Sequence, residues 1–164
     1  FRVGDRVKIY KPHVKNNKFL TNCTQSDFYN GFSAVQNILV VTKSYKDFRV
    51  LLNLGINCTW FQSESMFPPD IILAEIAKNF KEVVVFFDND EAGIKFSKLL
   101  VKKLNSFYPN VARNIHLPEY LNPMGISDCS DMYKNKGKEE LIKFLKENKI
   151  EINEINGQNL GTPF

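Results

Sequence analysis

Two short runs of consecutive apolar residues, 38–41 (ILVV) and 83–87 (VVVFF), limit the folds open to this chain more than any other feature. Neither run alternates with polar residues, so each reads as a strand buried on both faces, as in the middle of a parallel sheet. Such a sheet needs helices on both sides, and the neighbouring segments supply them. Residues 46–54 place Phe48, Leu51, Leu52 and Leu54 at helical spacing, with Gly55 as the stop. Residues 58–61 (CTWF) read as a short strand. Pro68 and Pro69 open a helix in which Ile72, Ile76 and Phe80 line one face, with Leu73 and Ala77 beside them. Residues 91–107 form an amphipathic helix, with Ile94, Leu99, Leu100 and Leu104 apolar and Lys95, Lys98, Lys102 and Lys103 polar. Residues 111–117 read as a further strand, and 138–147 as a last helix with Leu141, Ile142 and Leu145 inward. This β-α order from 37 to about 148 calls for a parallel α/β sheet with helices on both faces. Right-handed crossovers gather the strand carboxyl ends on one edge, where ligands bind in such sheets.

The first 36 residues have a different texture. Residues 7–11 (VKIYK) alternate like a strand that Pro12 ends. Residues 15–18 (KNNK) read as a turn, and Phe19–Leu20 pair back as a hairpin. Residues 21–36 read as a connection of low regularity. Of 22 Lys and Arg and 18 Asp and Glu in the chain, this segment holds six and two, so the whole net charge of +4 sits there. Arg2, Arg6, Lys8, Lys11, Lys15 and Lys18 are its bases. A basic arm beside a neutral domain suits a polyanion such as nucleic acid, though charge alone favours a solvated surface arm. The expected division is 1–36 as a basic lead-in, 37–150 as an α/β domain and 151–164 as a loose polar tail.

Several function classes fall away. No apolar run approaches the roughly 18–20 residues a membrane span needs. Cys23, Cys58 and Cys129 are far apart, and His13 and His116 are isolated, so neither a zinc site nor a disulfide framework is indicated. Neither GxGxxG nor GxxxxGK[ST] occurs, which argues against dinucleotide binding and a P-loop NTPase. A reducing cytoplasm is the expected setting. The chain starts at Phe1 and reads as a portion of a longer polypeptide.

Three polar clusters follow strands and can converge on the carboxyl edge: residues 42–47 (TKSYKD), 88–93 (DNDEAG) and 128–131 (DCSD). Asp88 and Asp90, two apart in an extended stretch, point the same way, and carboxylates held that close repel unless a cation lies between them. Oxygen ligands without His or Cys favour Mg²⁺ or Mn²⁺, the chemistry of nucleotidyl and phosphoryl transfer. The plainer reading is that Asp90 caps the helix at Glu91 and Asp88 is solvated. Asp128 and Asp131 lie on one face of a helical turn, as metal ligands or as cap and first-turn carboxylate. Lys43 and Lys46 suit phosphate oxygens or serve as surface lysines; Asp47 reads as a helix cap.

The residues 88–93 resemble the DxD motif of a Toprim domain in its primase form, where Ala-Gly follows, and Asp128–Asp131 resembles the later DxxD motif. The resemblance covers roughly residues 37–148, and the lead-in is similar to that of phage primases and primase–helicases. It implies a Toprim-like parallel four-stranded sheet flanked by helices, with a short β-rich N-terminal segment. It implies the catalytic core of a phage-type DNA primase, making RNA primers on single-stranded DNA from ribonucleoside triphosphates during DNA replication. In that reading Asp88, Asp90 and Asp128 hold Mg²⁺ or Mn²⁺, and Lys43 and Lys46 join Asp88 and Asp90 in catalysis. Arg6, Lys8, Lys11 and Lys18 contact nucleic acid. A replicative helicase is the implied partner, and the cytoplasm of a bacterial host the implied place. The chain departs from the family in carrying Lys43-Ser44 where Glu-Gly is usual, and Ser127 where Lys usually precedes the first Asp. Two other readings stay open: a Toprim-type nuclease, and a catalytically impaired nucleic-acid-binding replication module.

Overall fold

A computed structural model describes residues 2–3, 5–11, 13–16, 19–24, 29–31, 37–63 and 65–152. Lys18, Pro12, half of the 15–18 turn and nearly all of the tail after residue 150 lie outside the described residues. β1 (Arg2–Val3), β2 (Arg6–Tyr10) and β3 (Phe19–Thr21) form a small antiparallel sheet in that order. The expected hairpin is there, with Lys8 opposite Thr21 and Ile9 opposite Leu20.

The main sheet contains β4 (Tyr29–Gly31), β5 (Ile38–Thr42), β6 (Cys58–Trp60), β7 (Glu82–Phe86) and β8 (Ala112–Ile115), in the order β4-β6-β5-β7-β8. β6, β5, β7 and β8 are parallel, and β4 runs antiparallel along β6. This is the α/β architecture expected, with one strand more. β4 arises in the stretch expected to be irregular; Tyr-Asn-Gly has no apolar run, and its place comes from the open hydrogen-bonding edge of β6.

Among the described residues five α-helices cover the sheet: α1 (Tyr45–Asn53), α2 (Asp70–Asn79), α3 (Glu91–Phe107), α4 (Cys129–Lys136) and α5 (Lys138–Glu147). Alternate residues of the central strands divide between two cores, because successive side chains in a strand point to opposite faces. Leu39, Val41, Val83 and Val85 pack with Leu73, Ile76, Leu100 and Leu104 of α2 and α3. Val40, Val84 and Phe86 pack with Phe48 and Leu51 of α1, Met132 of α4 and Leu141 and Leu145 of α5. The α3 register differs in detail from the expected one. Gly93, Ser97, Leu100 and Leu104 are buried, while Leu99 is 44% exposed. One residue is about 100° of helix, so Leu99 and Leu100 cannot both face the sheet.

The strand order reverses between β5 and β7. From β5 the chain crosses through α1 to β6 on one side, and later returns through α2 to β7 on the other. Helices leave on opposite faces there, and a crevice opens at the carboxyl ends of the two strands.

Candidate metal centre at the sheet switch point

The two strands that flank the crevice end at Thr42 and Phe86, and the chain runs on into Lys43 and Phe87-Asp88. Ser44 caps α1, its Oγ accepting the Asp47 N–H at 3.2 Å and donating to Asp47 Oδ2 at 2.5 Å. The cap starts the helix so that Asp47 shares the buried face with Phe48, Val50 and Leu51. Asp47 Oδ1 then accepts the Ser130 N–H at 3.1 Å and the Cys129 thiol at 3.4 Å. Asp128 caps α4, its Oδ1 accepting the Asp131 N–H at 2.7 Å and the Ser130 hydroxyl at 2.8 Å. A first-turn carboxylate of α1 and the cap carboxylate of α4 are thus brought close together.

Asp88 completes the group. One carboxylate oxygen each from Asp47, Asp88 and Asp128 lies within 4.8 Å of the others. The β7 turn that carries Asp88 is tied down on both sides. The Asn89 N–H donates to the Ser127 carbonyl at 2.8 Å, and Asn122 Nδ2 donates to the Asn89 carbonyl at 2.9 Å. Behind it stands Gly93, where a Cβ would fall 2.1 Å from the Asp88 carbonyl oxygen. The glycine after Ala92 is needed for this close approach of backbone to backbone.

Two lysines face the carboxylates. Lys43 Nζ lies 2.5 Å from Asp88 Oδ2, and Lys46 Nζ lies 3.4 Å from Asp128 Oδ2. Asp88 is only 8% exposed, and its Oδ1 is buried with no hydrogen-bond partner. Leaving a buried carboxylate oxygen bare is costly, and such an atom marks a place for a cation or water. Three carboxylates, one of them with a bare oxygen, are compatible with a divalent metal ion.

The electrostatics reflect this crowding. Burial pushes the Asp88 carboxyl up to about 7, Lys43 opposes the shift, and Asp128 and Asp47 add to it. Asp47 is raised by burial first and by Asp128 second. Burial works against the charge on Lys46, but Asp128, Asp47 and Asp131 hold it above the ordinary lysine range. A folded-state carboxyl raised above its unfolded value binds protons more tightly in the native state. Metal-free stability is therefore expected to fall as pH rises from about 4 to about 7. Urea unfolding at pH 5 and pH 7.5 with chelator checks this, and Asp88→Asn is expected to remove much of the slope.

The expected site residues are thus distributed unevenly. Lys43, Lys46, Asp88 and Asp128 come together. Asp47, expected only as a cap, joins them. Asp90 stands outside the group of three: it is exposed and caps α3, its Oδ1 accepting the Gly93 N–H at 2.7 Å. Asp131 serves in the first turn of α4 and receives the Ser127 hydroxyl at 3.4 Å. Of the basic residues expected at nucleic acid, Arg6 donates to the Asn22 carbonyl at 3.1 Å. Lys8 reaches from the small sheet to the Gln62 carbonyl beyond β6. Burial and the nearby Lys43 lower its pKa, and Cys23 opposes the shift. Lys11 is half-buried just past β2.

The fold is the one found in DNA primase domains. An Aquifex aeolicus primase structure spanning zinc-binding and RNA polymerase domains matches 87% of this chain at a TM-score of 0.63 and 17% identity. A Pseudomonas aeruginosa DNA primase domain matches 89% at 0.62 and 16%, and the primase fragment of the bacteriophage T7 primase-helicase matches 77% at 0.54 and 17%. The chain spans 39%, 52% and 51% of those three structures, respectively. No protein-family model and no curated protein matches it. Among the described residues no helix is long and apolar enough to cross a membrane.

Proposed function

We propose that this chain is the Toprim catalytic core of a phage-type DNA primase, synthesising RNA primers on single-stranded DNA in a metal-dependent reaction. The observation that carries this reading is the bare, buried Asp88 Oδ1 in a three-carboxylate cluster at the switch point. The fold shared with primase domains supports it. In this reading Asp47, Asp88 and Asp128 hold Mg²⁺ or Mn²⁺, which when bound supplies positive charge to phosphate oxygens. Lys46 sits at the rim of the cluster, and its ammonium stabilises charge on the transferring phosphate. Asp90 caps α3 directly after the Asp88 turn and helps to position it. Arg6, Lys8, Lys11 and Lys18 bind the template backbone, a contact that weakens with salt. Single-stranded DNA, ribonucleoside triphosphates and a replicative helicase are the partners, in the cytoplasm of a bacterial host.

A second reading, an impaired nucleic-acid-binding replication module, is favoured by one observation: Lys43 already neutralises Asp88. The test is incubation of the polypeptide with single-stranded template, the four ribonucleoside triphosphates and Mg²⁺ or Mn²⁺. Short ribonucleotide oligomers are the expected product. Template binding without synthesis would replace the first reading by the second, and template cleavage without nucleotides would point to a nuclease.

A further inference from the structure

Asp88 divides its two oxygens. Oδ2 is taken by Lys43 at 2.5 Å, and Oδ1 is left bare. A carboxylate that bridges two metal ions with one oxygen on each needs both oxygens free. The lysine reaches Asp88 because it follows β5 directly and Asp88 closely follows the adjacent strand β7, a spacing a lysine side chain spans easily. We propose that the Lys43 ammonium is a resident cation of this cluster, so that the site takes one divalent ion and not two. The inference rests on the metal-centre reading above and adds to it a role for the lysine.

Charge balance leads to the same number. Asp47, Asp88 and Asp128 carry at most three negative charges, Asp131 adds a fourth near Lys46, and Lys43 and Lys46 return two positive ones. The remainder balances at most one divalent ion. A second ion would find no negative charge left to offset it and would sit a few ångströms from like charge. Lysine also offers no lone pair while protonated, so Lys43 lowers the ligand count as well as the charge.

Titration with Mn²⁺ alone, followed by the electron paramagnetic resonance of the free ion, tests this on the intact chain. One ion per chain is expected. Lys43→Gln is expected to bind its first ion about tenfold or more tightly, since a unit charge a few ångströms away is removed. Lys43→Arg is expected to bind one ion, as the unmodified chain does, and Lys43→Glu to bind two. Circular dichroism identifies any variant that fails to fold, and the count in the unmodified chain decides by itself. Two ions there, or unchanged affinity in folded Lys43→Gln, overturns the role of Lys43 and leaves the metal centre standing. No ion at millimolar Mn²⁺ overturns both.

Discussion

Exchanging Asp88 for asparagine is expected to lower ribonucleotide incorporation by roughly 10²–10³-fold, the scale of losing a main charge-stabilising group at a reacting phosphate. The exchange keeps the volume of the side chain and removes the carboxylate oxygen left bare in the cluster. Burial already raises the Asp88 carboxyl to about 7, so a neutral amide suits the metal-free fold near neutral pH. The loss of activity is therefore expected with retained or improved stability, and with Mn²⁺ affinity reduced in parallel. Asp90→Asn is the matched control. Asparagine caps helices about as well as aspartate, so this change is expected to cost less than about tenfold. Primer yield and Mn²⁺ affinity measured for both variants separate a centre built on 47, 88 and 128 from one built on 88 and 90. Equal losses from the two would refute the three-carboxylate arrangement.

That contrast also marks where the sequence is legible and where it is not. The central strands are plain because unbroken β-branched runs have few alternative fates, and α3 and α5 begin and end as their periodicity and polar flanks dictate. The meeting of Lys43 and Asp88 follows from strand order, while Lys46 and Asp128 are brought in by the starts of α1 and α4. The pairing of Asp88 with Asp90 does not hold in the same way. A period of two applies only while the backbone is extended, and β7 ends at Phe86 with a bend at residues 89 and 90. Asp47 was legible in principle. It stands at helical spacing from Val50, Leu51 and Leu54, all buried, and a carboxylate on the apolar face of a helix must find a polar partner. That partner, the Ser130 N–H, lies 83 residues along the chain, which local periodicity does not report. β4 carries no hydrophobic signal at all, since pairing with a neighbour's edge uses backbone groups that every residue has.

Gly93→Ala is expected to be the most damaging single-methyl change in the site. A Cβ there would stand 2.1 Å from the Asp88 carbonyl oxygen, 2.9 Å from its carbon and 3.0 Å from its nitrogen. These are backbone atoms, so no rotamer change relieves the contact; either α3 or the end of β7 has to move. α3 is anchored by Leu100 and Leu104 in one core, and the Asp88 turn by the hydrogen bonds of Asn89 to Ser127 and Asn122. Overpacking against such fixed elements costs about 1–3 kcal/mol, and more when the backbone itself is struck. Much of the displacement is expected to fall on residues 88–90, because the turn has fewer apolar anchors than the helix. Asp88 then leaves the reach of Asp47 and Asp128. A shift of about 1 Å in a positioned group is enough to cost about 10²-fold in rate. Urea unfolding of Gly93→Ala is thus expected to show a lower midpoint, with Mn²⁺ affinity and primer synthesis both reduced. Gly137→Ala is the useful comparison, since a Cβ there meets only the Glu139 side chain at 3.6 Å and any penalty comes from its φ of +90°. That residue lies at the far end of α4 from Asp128. Its replacement is expected to lower stability and leave metal affinity unchanged. If Gly93→Ala behaved in the same way, the close packing of α3 on the Asp88 turn would be structural support alone, without a part in aiming the carboxylate.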